Sequence, residues 1–241
     1  MRFTRTTPLH ELVIGEKEVS PMAVITISRE MGAGGTHIAE RVAAGLGFRL
    51  LGKDQIAEVL LKYGMVRFNE FYDSAPGFWA RFDSRRTEMT DMLNQVIRAM
   101  AHVGNVVIVG RGSYVVLAGL ADAVHVRVQA PLHVRMQRVM QECGILDPLE
   151  CEKLVLESDK VRHAFVEQSY GVSWDSASAF DLVVDTGKVP PELTCALIEQ
   201  VVRHVQASGP AGKSTAAMLE IDSTLAKAVA EILGDQLRET V

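Results

Sequence analysis

Short β-branched apolar runs alternate along the chain with longer stretches of helical period. Met22-Ala-Val-Ile-Thr-Ile27 reads as a buried strand, and Ile38, Ala39, Val42, Ala43 and Leu46 then recur at helical spacing up to Gly47. Phe48 to Leu51 is a second strand, followed by a helix over Gln55 to Tyr63. Arg85 to His102 is helical, and Asn105-Val-Val-Ile-Val109 is the clearest buried strand. Further strands are expected over Ala123 to Val128 and Phe180 to Val184. Further helices are expected over Pro131 to Glu142, Leu149 to Gln168, Pro191 to Ala207 and Thr215 to Leu237. Five strands separated by helices predict an α/β fold, a parallel sheet with right-handed crossovers and helices on both faces. The expected layout is an N-terminal arm over 1–21, one α/β domain over 22–207 and a C-terminal helical extension over 208–241.

The turn after the first strand, Met31-Gly-Ala-Gly-Gly-Thr36, is rich in glycine and opens a helix. A strand, a glycine turn and a helix N-terminus together hold phosphate, because backbone N–H groups point at the anion and the missing side chains let it approach. Against the pattern G-x-x-x-x-G-K-[ST], Gly34 takes the second glycine position and Thr36 the magnesium-binding hydroxyl. Arg29 stands where the first glycine belongs and Gly35 where the lysine belongs. A ligand-free tight turn remains the alternative reading of this segment. A second stretch, Gly209-Pro-Ala-Gly-Lys-Ser-Thr215, has too short a spacing and no strand before it, and reads as an interhelical linker.

Ile27-Ser-Arg-Glu-Met-Gly-Ala-Gly-Gly35, Val109-Gly-Arg-Gly112, the Ala-Pro pair before Arg135 and Arg138, Asp159-Lys-Val-Arg162 and Phe180-Asp-Leu-Val-Val-Asp-Thr186 follow in an order that resembles the cytidylate kinase-like proteins of the P-loop kinase fold. The resemblance covers about 24–205. It implies a P-loop NTPase three-layer fold, with a five-stranded parallel sheet, a lid and an acceptor-binding insertion. It also implies ATP-dependent phosphoryl transfer to a nucleoside monophosphate, CMP or dCMP, with Mg²⁺. The alternatives are a nucleotide- or anion-binding regulatory module of the same fold without kinase activity, and a kinase for another small substrate.

Phosphoryl transfer needs positioning and positive charge on the transferring oxygens. With Gly35 in place of the lysine, the candidate cations are Arg29 at the loop and Arg135, Arg138 and Arg162 at the lid. Gly32, Ala33, Gly34, Gly35 and Thr36 are the expected cradle for ATP phosphates, with Thr36 on Mg²⁺. Arg111, at the carboxyl end of a buried strand, is the expected contact to the acceptor phosphate. The family carries Asp after this arginine, and this chain has Gly112. Asp54 and Asp159 are candidate acceptor-site carboxylates, although Asp54 equally suits a helix N-terminus and Asp159 could orient Arg162 three residues on. Arg135 and Arg138 share a helix face, which equally suits a solvated face with Arg138 paired to Glu142. Phe68, Phe71, Tyr72, Phe78, Trp79 and Phe82 fall where an acceptor-binding insertion is expected, followed by Arg81, Arg85 and Arg86.

Net charge is −5, which excludes a broadly basic nucleic-acid binder or an electrostatic membrane grip. Even so, 17 of the 25 basic residues are arginine, the side chain for forked contact with phosphate. Three cysteines at no metal or disulfide spacing, and no apolar run near 20 residues, suit a reduced cytoplasmic setting. The last helix carries Met218, Ile221, Leu225, Val229, Ile232 and Leu233 as an apolar stripe, which must dock on its own domain or form a homodimer.

Overall fold

The computed structural model describes residues 22–62 and 83–239, with side chains for all of these except 83–86 and 235–239. The expected arm over 1–21, the aromatic insertion, Arg81 and the side chains of Arg85 and Arg86 lie outside the described residues. Five parallel strands form one sheet: β1 (Val24–Arg29), β2 (Arg49–Leu51), β3 (Val106–Val109), β4 (Ala123–Gln129) and β5 (Leu182–Asp185), in the order β2-β3-β1-β4-β5. The helices are α1 (Gly35–Leu46), α2 (Lys53–Lys62), α3 (Asp83–His102), the single turn α4 (Ser113–Val116), α5 (Leu132–Cys143), α6 (Pro148–Tyr170), α7 (Pro191–Ser208) and α8 (Ser223–Glu239). This is the three-layer P-loop fold. β1 lies at the centre between β3 and β4, so the loop that leaves its carboxyl end opens at the point where strand order reverses.

The two faces of the sheet differ. Ile25, Ile27, Val107, Val109, Val124, Val126 and Val128 point to one side and pack with Ile38 and Val42 of α1 and Ile198 and Val202 of α7. On the opposite side, Val24, Val106 and Ile108 pack with α2, α3 and α8. There β1 and β4 also carry Thr26, Ser28, His125 and Arg127, all buried. Thr26 is in register with His125, and Ser28 with Arg127. A polar stripe thus runs up one face of the central strands toward their carboxyl ends.

The expected helix over Thr215 to Leu237 is a 3-10 turn, Ala216–Met218, and then α8. Asp222 separates them: its Oδ1 accepts from the Thr224 and Leu225 N–H groups at 3.0 and 2.9 Å, an N-cap that starts a new helix. Leu225, Val229, Ile232 and Leu233 are buried in the chain's own core, where α8 packs on α2 and α3. Met218 is not part of this stripe and is 67% exposed. Of the two alternatives for this stripe, the one seen is docking on the chain's own domain. The linker Gly209–Thr215 is fastened by the Ser214 carbonyl, which accepts from Ala121 N–H at 2.9 Å, and by Asp122, whose carboxylate accepts from Ala216 N–H.

In the polar stripe, His125 Nδ1 lies 2.8 Å from Thr26 Oγ1, and the ring also bonds the Leu117 carbonyl. Burial pushes the imidazole below its ordinary value of 6.5. The unfolded chain therefore takes up this proton first as the pH falls. The stability contribution is complete above the ordinary value and is lost as the pH drops below it. Thermal melts should show the wild-type Tm falling more between pH 7.5 and 5.5 than that of His125→Gln. Parallel pH profiles would contradict a buried neutral histidine.

Candidate functional site

The turn between β1 and α1 places Gly32 and Gly34 at φ 77°. A Cβ on Gly32 would lie 2.6 Å from the Arg135 carbonyl and 2.9 Å from Val139 Cγ2, so glycine lets α5 approach the loop from below. A Cβ on Gly34 would meet nothing within 4 Å, so this side of the loop is open. The N–H groups of Gly35, Thr36 and His37 open α1 and have no helical carbonyl one turn back. They face a cleft of about 330 Å³ lined by Arg29, Glu30, Met31, Gly32, Gly34, Gly35, Thr36, His37, Glu40, Glu142 and Arg162. That volume suits a nucleotide-sized ligand.

A set of ionic contacts holds the loop from underneath. Arg135 is buried; its Nε donates to the Ala130 carbonyl at 3.0 Å and its Nη1 to the Met31 carbonyl at 3.2 Å. Nη1 also donates to Asp159 Oδ2 at 2.5 Å, while Nε lies 3.4 Å from Glu30 Oε2. The other oxygen of Asp159 accepts from the Met31 N–H at 2.9 Å. Glu30 in turn accepts from the Ala130 N–H at 3.1 Å. Arg138 donates to the Thr186 hydroxyl at 2.9 Å and to its carbonyl at 2.8 Å, and the same hydroxyl donates to the Ala33 carbonyl at 2.8 Å. Arg135 and Arg138 do share a helix face, as their spacing predicts, but that face is turned to the loop. Neither lines the cleft; both hold the loop in shape. Asp159 lies with them under the loop, and Arg138 is bonded to Thr186, which departs both from the expected lid role and from the alternative pairing with Glu142.

Adjoining this cleft is a narrow crevice with only about 10 Å³ of open space, lined by Ser28, Arg29, Gly110, Arg111, Gly112, Ser113, Tyr114, Arg162, Phe165, Val166 and Trp174. It is built on a left-handed backbone turn: Gly110, Arg111 and Gly112 have φ of 75°, 59° and 67°. For a residue with a side chain this costs about 1–2 kcal/mol, and Arg111 adopts it while 3% exposed. Such strain is typical of a residue held in place for a ligand. Gly112 has a further constraint, because a Cβ there would run into the Tyr170 ring. The Tyr170 hydroxyl donates to Asn94 Oδ1 at 2.9 Å. The aspartate that the resemblance leads one to expect at position 112 would therefore compete with Tyr170 for the same space.

Arg29 and Arg162 line both clefts and stand between them. Arg162 Nη1 donates to Ser158 Oγ at 2.6 Å and lies 3.5 Å from Asp159 Oδ1, the helical pairing that the spacing predicts. Thr36 is exposed at the mouth of the first cleft. Among the described residues no three His, Cys, Asp or Glu side chains group to hold a metal. A magnesium ion here would take the Thr36 hydroxyl, phosphate oxygens and water, a set suited to its oxygen-rich coordination. Asp54 lies exposed in the first turn of α2 and lines neither cleft.

One residue escaped the sequence reading. Arg127 of β4 is buried; it donates to the Trp174 carbonyl and to Asp175 Oδ1, both at 2.8 Å. Its guanidinium carbon sits 4.2 Å from the centre of the Trp174 ring, and Nη2 lies 3.7 Å from Glu30 Oε1. Arg127 thus ties the Trp174 wall of the second cleft to the loop of the first. The signal was present in Ala123-Val-His-Val-Arg-Val128, where His125 and Arg127 occupy alternate positions of a strand that must be buried.

A central parallel sheet, a glycine turn that opens a helix and two adjoining arginine-lined clefts define a P-loop phosphate-handling protein. The model of the cytidylate kinase-like family matches residues 24–188, and the chain belongs to this family. Cytidylate kinase from Pyrococcus horikoshii is 28% identical over 202 residues, covering 78% of this chain and 93% of its own. Cytidylate kinase from Staphylothermus marinus is 28% identical over 184 residues, covering 75% of this chain and 97% of its own. In fold, the chain is similar to an uncharacterized protein from Eubacterium ventriosum, with a TM-score of 0.61 at 20% identity over 75% of this chain and 98% of that one. Family membership supports nucleotide kinase chemistry. No helix among the described residues is long and apolar enough to cross a membrane.

The buried clamp and the cleft arginines should separate on mutation. Removing one partner of a buried ion pair costs about 3–5 kcal/mol. Arg135→Ala is therefore expected to lose stability on that scale in urea melts. Arg162→Ala, whose side chain is 22% exposed, should lose less than about 1 kcal/mol. Equal losses would contradict the division into supporting and cleft-facing arginines.

Proposed function

We propose that the protein is an ATP-dependent nucleoside monophosphate kinase acting on CMP or dCMP. The observation that carries this reading is the pair of arginines, Arg29 and Arg162, common to two adjoining clefts. A donor phosphate in the cleft over Gly32–Thr36 and an acceptor phosphate beside Arg111 would meet between them. The pyrimidine preference rests on the family and on relatives named cytidylate kinase.

In this reaction an oxygen of the acceptor phosphate bonds to the γ-phosphorus of ATP as the bond to the β,γ-bridging oxygen breaks. ADP leaves with that electron pair, and the acceptor becomes a nucleoside diphosphate. A dianionic acceptor phosphate has no proton to surrender, so no general base is needed. Charge stabilisation and alignment are what the protein supplies. The N–H groups at the start of α1 hold the donor phosphates, Thr36 would hold a magnesium ion whose charge would screen them, and Arg111 orients the acceptor phosphate. Arg29 and Arg162 balance the charge on the transferring oxygens. The contacts of Arg135, Arg138 and Asp159 keep the loop open-faced.

ADP release with a panel of nucleoside monophosphates tests this directly. CMP or dCMP should give the highest kcat/KM. Arg111→Ala should raise the acceptor KM at least tenfold and leave the ATP KM within about twofold. Tight ATP binding with no acceptor-stimulated release would overturn the reading in favour of a non-catalytic anion-binding module.

A further inference from the structure

The loop lacks the lysine that its motif normally places before Thr36, and the structure accounts for Gly35 sterically. Gly35 is not one of the left-handed glycines, so its backbone conformation does not demand glycine. It is the first residue of α1, where no glycine is required to start the helix. What excludes a side chain is Arg29. A Cβ on Gly35 would lie 2.5 Å from Arg29 Cβ, 3.0 Å from its Cγ and 3.3 Å from Val128 Cβ. At the other end of the same arginine, a Cβ on Gly110 would run into Nη1. Gly35 and Gly110 therefore leave a channel along Arg29, from the end of β1 to the end of β3. It carries the guanidinium from the donor cleft to the edge of the acceptor cleft.

We infer that Arg29 supplies the charge of the missing lysine from the strand side of the loop, and that Gly35 is glycine to admit it. The two positions form one exchangeable unit. Either residue 35 brings a cation from the helix side and position 29 is glycine, or Arg29 brings it and position 35 stays bare. Lysine at 35 with arginine still at 29 places two stems in one space. The inference rests on the kinase reading and names the residue at that site whose charge meets the transferring phosphoryl group.

The test compares Arg29→Ala, Arg29→Lys, Gly35→Ala, Gly35→Lys and the double variant Arg29→Gly/Gly35→Lys, in which the Cβ at position 29 is gone. Each is followed by CMP-dependent ADP release, by affinity for a fluorescent ADP analogue with Mg²⁺, and by thermal melting. Arg29→Ala should lower kcat at least 100-fold with a Tm close to wild type, and Arg29→Lys should retain more activity than Arg29→Ala. Gly35→Ala and Gly35→Lys should each lower kcat at least tenfold. The double variant should recover at least tenfold in kcat, or in analogue affinity, over Arg29→Ala alone. A Gly35→Ala enzyme within twofold of wild type, or a double variant no better than Arg29→Ala, overturns the inference. If wild type turns over no acceptor in the panel, the kinase reading fails on its own. The same reciprocal pattern in analogue affinity then still decides whether Arg29 and Gly35 act as a unit.

Discussion

A phosphate-binding turn works only if its own carbonyls and acidic groups are held back while its N–H groups face outward. Here that constraint falls on the contacts of Asp159 and Arg135. Asp159 takes the Met31 N–H, Arg135 takes the Met31 and Ala130 carbonyls, and the two side chains are bonded to each other. Both come from α5 and α6, so the shape of the loop depends on elements more than 100 residues later in the chain. Arg138 and Thr186 fix the Ala33 carbonyl in the same manner from the end of β5. Any movement of α5 or α6 would therefore be felt directly at the loop.

The sheet is built to serve this arrangement. Its apolar face, with α1 and α7, supplies burial through Ile25, Ile27, Val124, Val126 and Val128. The polar side chains are gathered on the other face, as Thr26, Ser28, His125 and Arg127. Arg127 is the costly member, since a buried guanidinium is tolerated only when its donors and charge are satisfied. It stacks on Trp174, bonds Asp175 and faces Glu30. The acidic net charge of the chain is no obstacle to phosphate handling, because the arginines that matter are gathered around the carboxyl ends of β1, β3 and β4.

The strands, their parallel sense, the glycine turn and the place of Arg111 were legible in the sequence, because each rests on a local pattern of apolar period or turn chemistry. The role of an arginine on a helix was less so. Spacing of three shows that Arg135 and Arg138 share a face, but not that the face meets a loop 100 residues away. Arg127 went unread because one charge inside an apolar run carries no sign of what lies above it. The last helix was misjudged because Glu220-Ile-Asp222 keeps the helical period of apolar residues while Asp222 caps a new helix. Gly35 was legible only as a missing lysine. That its bareness is a fitting for Arg29 follows from tertiary distances alone.

The account stands or falls on direct passage of a phosphoryl group between the two clefts. In a single turnover with enzyme in excess over ATP labelled at the γ-phosphorus, and with Mg²⁺ and CMP present, the label should appear in CDP, in step with ADP formation. Label released as inorganic phosphate at the rate of ADP formation, or retained in ATP whatever monophosphate is added, would contradict it.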